Sequence, residues 1–129
     1  MKIEHIKIKG ITSHKESHCN LENYTIFVGE NNTGKSNIIT ALRWFFGDIK
    51  LEKEQVTNGY HEEPSIEIKF RLDDESKIKE NFDKKYIDDN CVTIRAYCNF
   101  ESEDKPQSPK LQLVKDKEEP KELKKNIVL

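Results

Sequence analysis

At 129 residues the chain is long enough for one domain and too short for two. Leu, Ile, Val and Phe supply 33 residues, above the level that marks disorder, while 36% charged residues leave the core thin. The net charge of −2 divides as seven Lys/Arg against five Asp/Glu in residues 1–50 and fifteen against nineteen in 51–129, so neither part has the basic footprint of a stand-alone nucleic-acid binder.

No apolar run approaches the ~18 residues of a membrane span. The N-terminus alternates Ile with Lys and Glu and is no secretory signal peptide. Cys19, Cys91 and Cys98 have no metal-binding spacing and cannot all pair, so a reducing cytoplasm is the simplest location.

Met1–Ile11 reads as a strand. Ile6 and Ile8 alternate with Lys7 and Lys9, while Ile3 is out of phase and points to a bulge near His5. Ser17–Leu21 is a weaker strand with Cys19 and Leu21 inward. Tyr24–Val28 is a short run of large and β-branched residues, the pattern of a strand buried on both faces. After a loop, Ile38, Ile39, Leu42, Phe45 and Phe46 recur at helical spacing, with Ala41 beside them, and Gly47 is the natural stop.

Lys50–Pro64 reads as loop. Ile66, Ile68, Phe70 and Leu72 alternate with Glu67, Lys69 and Arg71, the mark of an antiparallel strand with one wet face. Asp73-Asp74 would cap a surface helix over Glu75–Asp88 with the stripe Ile78, Phe82, Tyr86. Val92, Ile94, Ala96, Cys98 and Phe100 alternate again, antiparallel to 66–72, and a further strand lies near Leu111–Val114. The rest of Glu101–Asn126 is charged and Pro-containing and reads as hairpin and loop.

Gly29-Glu30-Asn31-Asn32-Thr33-Gly34-Lys35-Ser36 fits the Walker A pattern G-x-x-x-x-G-K-[ST]. A chance match in a chain this long is on the order of half a percent. The context sharpens it, since the motif follows an apolar run and opens a helical pattern. Glycines let the backbone wrap close to phosphates, successive N–H groups form an anion nest, and the helix start adds its dipole. Lys35 places a point charge on the β/γ-phosphates, and Ser36 offers a hydroxyl to Mg²⁺. The bland alternative is a Gly-rich turn that happens to hold Lys-Ser.

The strand MKIEHIKIKGITSHK, a weak strand, and then YTIFVGENNTGKSNIITALRWFFG resemble the N-terminus of the ABC-type ATPase heads, among them RecF, the SMC proteins and above all the OLD-family ATP-dependent endonucleases with the Gabija-type nucleases. The likeness is detailed over residues 1–48 and only one of element order beyond residue 50. It implies an α/β P-loop NTPase lobe with a mixed sheet, an antiparallel part and a helix after the P-loop. Residues 1–50 would hold strands, P-loop and helix, and 51–129 antiparallel strands with a surface helix and charged loops. It further implies that Gly29, Gly34, Lys35 and Ser36 bind ATP and Mg²⁺, that Asn31, Asn32, Thr33 and Asn37 supply loop N–H groups, and that Ile11–His14 lies near the base and α-phosphate. The implied partners are the rest of the ATPase domain or a second copy, with DNA as partner of the complete protein and no membrane.

Other parts of such a head are missing. A Walker B strand ends in an acid and a catalytic Glu, but Ile66–Asp74 alternates and Ile127–Leu129 stops short. Neither a signature motif nor a late His is found, Gln107 and Gln112 are no more than candidates for a glutamine loop, and the nuclease part of an OLD protein is absent. The chain therefore reads as the first lobe of a longer ATPase, with no assigned catalytic residue and little turnover alone. The rival readings are another P-loop NTPase of kinase or GTPase type, and an interaction module with a relic site.

His14, His18 and Cys19 lack a fourth metal ligand. Cys91 and Cys98, seven apart, fall on opposite faces of a strand and should not pair. Trp44 suits partial burial beside the helix stripe. Lys7 and Lys9 are too few to neutralise much phosphate.

Overall fold

Ile6 and Ile8 on one side of an extended segment, and Lys7 and Lys9 on the other, need a sheet with one dry and one wet face, and the chain builds one. The computed structural model describes residues 2–11, 14–20, 32–57, 62–72, 82–100 and 105–123. Strands β1 (Lys2–Ile11), β2 (His14–Asn20), β3 (Ser65–Arg71), β4 (Cys91–Tyr97), β5 (Lys110–Val114) and β6 (Lys121–Glu122) form a six-stranded sheet in the order β2-β1-β3-β4-β5-β6. Every described pair is antiparallel. Helix α1 (Asn32–Phe45) packs on β1 and β3. The antiparallel half of the expected sheet is thus present, while Tyr24–Val28, on which its parallel part depended, lies outside the described residues.

The dry face follows the sequence alternation. Ile6, Ile8, Ile66, Ile68, Phe70, Leu72, Val92, Ile94, Ala96 and Cys98 are all buried. Ile68 stands between Ile6 and Ile94, and Ile66 between Ile8 and Ala96, so each row of the sheet contributes side chains to one layer. β4 ends at Tyr97, and Phe100 packs half-buried on the core from beyond its end. Positive φ at Gly10 turns the end of β1; its carbonyl accepts from Thr57 N–H at 2.9 Å, and Ile11 bridges to Val56.

The bulge anticipated near His5 is there. Ile3 pairs with Phe70 and His5 with Lys69, so Glu4 is the extra residue on β1. Its carboxylate accepts a hydrogen bond from Arg71 Nε and one from Cys91 Sγ at 3.4 Å, with Lys69 Nζ at 4.0 Å. Glu4 thereby ties β1 to β3 and β4 on the wet face. Arg71's hydrogen bond holds the Glu4 carboxyl below its usual range, and burial, reinforced by Glu4, pushes the Cys91 thiol up.

Helix α1 settles differently from its apparent stripe. Ile38, Ala41, Trp44 and Phe45 are buried, but Ile39 (43% exposed) and Phe46 (50%) face outward. At about 100° per residue Ile39 and Phe46 lie on one flank, and the bulk of Trp44 draws the buried arc the other way. Trp44 is completely buried rather than partly, and its Nε1 donates to Gln107 O at 3.0 Å. Gln107 and Leu51 exchange both backbone hydrogen bonds, at 2.8 and 2.9 Å. Phe45 meets Phe70 at 5.9 Å. Gly47 (φ +78°) ends the helix with a Schellman pattern, in which its N–H donates to Trp44 O and that of Asp48 to Arg43 O.

The expected helix over Glu75–Asp88 is contradicted where it is described. Residues Lys84–Tyr86 form one 3₁₀ turn capped by Asp83, and Asp88 bridges to Cys91. Phe82 and Tyr86 are buried rather than superficial. Tyr86 hydroxyl donates to Glu119 O, Lys115 Nζ donates to Lys85 O at 3.2 Å, and Lys121 pairs with Asp83, so the segment is strapped to the β5–β6 turn instead of coiling. Residues 73–81, including Asp73, Asp74 and Ile78, lie outside the described part.

Trp44→Ala should cost about 3–5 kcal/mol in urea unfolding, and Trp44→Phe, which loses mainly the Nε1–H, about 1–2 kcal/mol. A value near zero for the alanine variant would contradict the docking of α1. Glu4→Gln tests the bulge. A carboxyl whose pKa is lowered by folding stabilises above its unfolded value and loses that effect as pH falls through the folded one. The urea midpoints of wild type and Glu4→Gln should therefore differ at pH 7 and converge below the ordinary Glu pKa of about 4.3.

Candidate functional site

The eight-residue Gly29–Ser36 motif runs into α1. The helix begins at Asn32, inside the motif, and its first turn contains Thr33, Gly34 and Lys35, followed by Ser36 and Asn37. The first N–H groups of a helix have no intrahelical acceptor, so this stretch ends in an array of donors that the helix itself leaves without one. The first turn holds no acidic residue to oppose an anion. Gly29, Glu30 and Asn31 lie outside the described residues, as do Thr12 and Ser13 of the Ile11–His14 segment. The anchoring of this helix is mechanical: Ile38 and Ala41 are buried along its middle and Trp44 and Phe45 in its last turn, and the helix packs on β1 and β3.

Neither glutamine-loop candidate stands near that end. Gln107 is bound to Trp44, twelve residues along from Asn32, which at 1.5 Å per residue is about 18 Å away. Its side chain donates to Lys105 O. Gln112 is buried opposite Arg95, in the row that continues to Glu67 and Lys7, on the sheet face away from α1. Both are structural.

His14, His18 and Cys19 all fall on β2, with Cys19 opposite Ile6 and His18 opposite Lys7 in the β1–β2 register. Among the described residues no group of three or more His, Cys, Asp and Glu could hold a metal ion. Cys91 and Cys98 are free and buried on opposite faces, as their spacing required. Burial, with Glu63 nearby, pushes the Cys98 thiol up to about 12. Tyr97, which donates to Glu122, is likewise pushed up to about 12, chiefly by burial. These groups stay protonated near neutrality and are not nucleophiles.

Sequence reasoning missed a cleft of about 580 Å³ on the wet face. Cys91, Thr93, Val114, Tyr86, Asp88 and Asp116 are among its lining residues. The only sequence signal for it was Asp89-Asn90, both at positive φ in the tight turn before β4. The sheet separates this cleft from α1, so it is no part of a site at the helix start. Lys7 and Lys9 are half-buried on the same wet face, with Lys7 opposite Glu67. Among the described residues no helix is long and apolar enough to cross a membrane.

The chain is similar to the chromosome condensation protein dpy-27 of Caenorhabditis elegans, at 35% identity over 92 residues, which is 65% of this chain and 6% of that protein. It is similar to the uncharacterized protein MJECL44 of Methanocaldococcus jannaschii, at 33% identity over 84 residues, 58% of this chain and 25% of that protein. The chain thus spans a quarter or less of the length of these relatives. The AAA ATPase domain family matches residues 1–128, nearly the whole sequence. The chain belongs to the AAA ATPase domain family.

Proposed function

We propose that this chain is the N-terminal, Mg-ATP-binding lobe of an ABC-type ATPase of the RecF, SMC and OLD group. The observation that carries the reading is the start of α1 at Asn32, inside the Gly29–Ser36 motif. In this reading the N–H groups from Gly29 to Asn37 and the helix dipole hold the phosphates, and Lys35 places its ammonium on the β/γ-oxygens. Asn31, Asn32, Thr33 and Gly34 shape and line the loop. The Ser36 hydroxyl takes one position on Mg²⁺, an ion that prefers oxygen ligands and keeps several waters. When bound, Mg²⁺ would supply neutralisation of phosphate charge. Membership of an ATPase family and the likeness to a condensation protein support the nucleotide.

A kinase- or GTPase-like reading needs further parallel strands with crossover helices, whereas β3, β4, β5 and β6 are antiparallel neighbours. Work on DNA, in processing, repair or antiphage defence, is the proposed role of the complete protein, and dpy-27 is named for an activity on chromosomes. Turnover needs a second carboxylate on Mg²⁺ and a group that orients water, and such positioning supplies nearly all the catalysis in phosphoryl transfer. The lobe therefore binds without hydrolysing.

Calorimetry with Mg-ATP should give saturable binding that Lys35→Ala weakens at least about tenfold, the loss of one charged hydrogen-bonding group, with unchanged circular dichroism. Equal affinity in the two proteins would contradict the assignment. Phosphate release by the 129-residue chain should stay at the level of the Lys35→Ala control. A wild-type rate near ~1 s⁻¹, within the range of competent phosphoryl-transfer enzymes, would show a complete active site.

A further inference from the structure

Apolar contacts hold α1 against the sheet, but burial is non-directional and sets the position of a helix along its own axis only loosely. Hydrogen bonds are directional, and one of them leaves α1 from its last turn. Trp44 Nε1 donates at 3.0 Å to Gln107 O, a carbonyl that also accepts from Leu51 N–H at 2.9 Å. Gln107 N–H in turn donates to Leu51 O at 2.8 Å, so the carbonyl is held by its own backbone bridge and does not depend on the indole. Pro106 directly precedes Gln107 and Pro109 follows two residues later, and the fixed φ of proline stiffens the segment.

We propose that Trp44 is a positioning residue for the motif at the other end of α1, with the Gln107 carbonyl as the stop against which the helix is set. The inference rests on the reading of Gly29–Ser36 as a phosphate site. α1 is continuous from Asn32 to Phe45, so a slide at Trp44 is passed along the axis to the first turn, about 18 Å away. N–H groups hold phosphate oxygens only within a window of about half an ångström, so a slide of about 1 Å takes them out of range. A helix without its stop spends time in misplaced positions, and the apparent affinity falls with the fraction that remains competent. Gln107 acts here through its backbone. Its side chain is turned to Lys105 O, so this role differs from that of a glutamine side chain reaching toward a nucleotide.

Calorimetry with Mg-ATP on the full chain tests this, with circular dichroism to show that each variant is folded. Trp44→Phe keeps a ring and loses the N–H, and should weaken binding about fivefold, the worth of one neutral hydrogen bond. Tyr86→Phe loses a hydrogen bond of the same kind, to Glu119 O, in the strap beside the wet-face cleft, and should bind as the wild type does. Equal weakening in both variants would make the effect one of general stability and overturn the proposal. So would wild-type affinity in Trp44→Phe while Lys35→Ala binds weakly, an outcome that leaves the phosphate site standing. Wild-type affinity in Lys35→Ala would instead remove that site, and the proposal with it. If Trp44→Phe does not fold, the wild type supplies the test. Coupling is reciprocal, and Trp44 is the sole tryptophan, so its indole ¹⁵N–¹H resonance should move saturably as Mg-ATP is added and stay in place in Lys35→Ala. A resonance that stays in place in the wild type at saturating Mg-ATP overturns the proposal.

Discussion

The docking of α1 on β1 and β3 is the contact on which the rest depends. Trp44 and Phe45 bury the last turns of the helix, and the indole N–H meets Gln107 O, which Leu51 also grips. A buried indole without an acceptor would cost free energy, so this hydrogen bond makes complete burial of the largest side chain tolerable. Gly47 closes the helix one turn later and sends the chain toward Leu51. With its C-terminal end fixed in this way, a rigid 14-residue rod fixes its other end too, and that end carries the phosphate-type motif.

Below the helix, the sheet separates two environments. Its dry face is a continuous layer of Ile, Val and Phe. Its wet face is a lattice of charges, and the Glu4 bulge is the point where that lattice is tied most tightly. An extra residue on β1 would only weaken pairing were its carboxylate not engaged with Arg71, Lys69 and Cys91. The straps from 83–86 to the β5–β6 turn act similarly at the far end of the sheet.

Strands with strict alternation were legible in the sequence, since a period of two admits one face assignment: Ile66–Leu72 and Val92–Cys98 lie as their pattern demands, and even the phase slip at Ile3 reported its bulge. The helix face was less legible. Ile39 and Phe46 are as apolar as Ile38 and Phe45, and only the volume of Trp44 and its remote acceptor at Gln107 decide which way the helix rolls. Phe82 and Tyr86 carry helical spacing, yet contacts to Glu119 and Lys115, some thirty residues away, hold that segment in a single turn. The Gly29–Ser36 motif was legible as a pattern because its chemistry resides in backbone and spacing. Gln107 and Gln112 illustrate the converse: residue type suggested a role that placement withdrew.

In this reading the phosphates of the nucleotide are held by the stretch from Gly29 to Asn37. Backbone amide shifts in an ¹⁵N-labelled sample titrated with Mg-ATP test it most directly. Large, saturable changes should concentrate in residues 29–37, with little change at Cys91, Thr93 and Val114 across the sheet. Changes centred on that wet-face cleft, or none in the 29–37 stretch at saturating Mg-ATP, would contradict it.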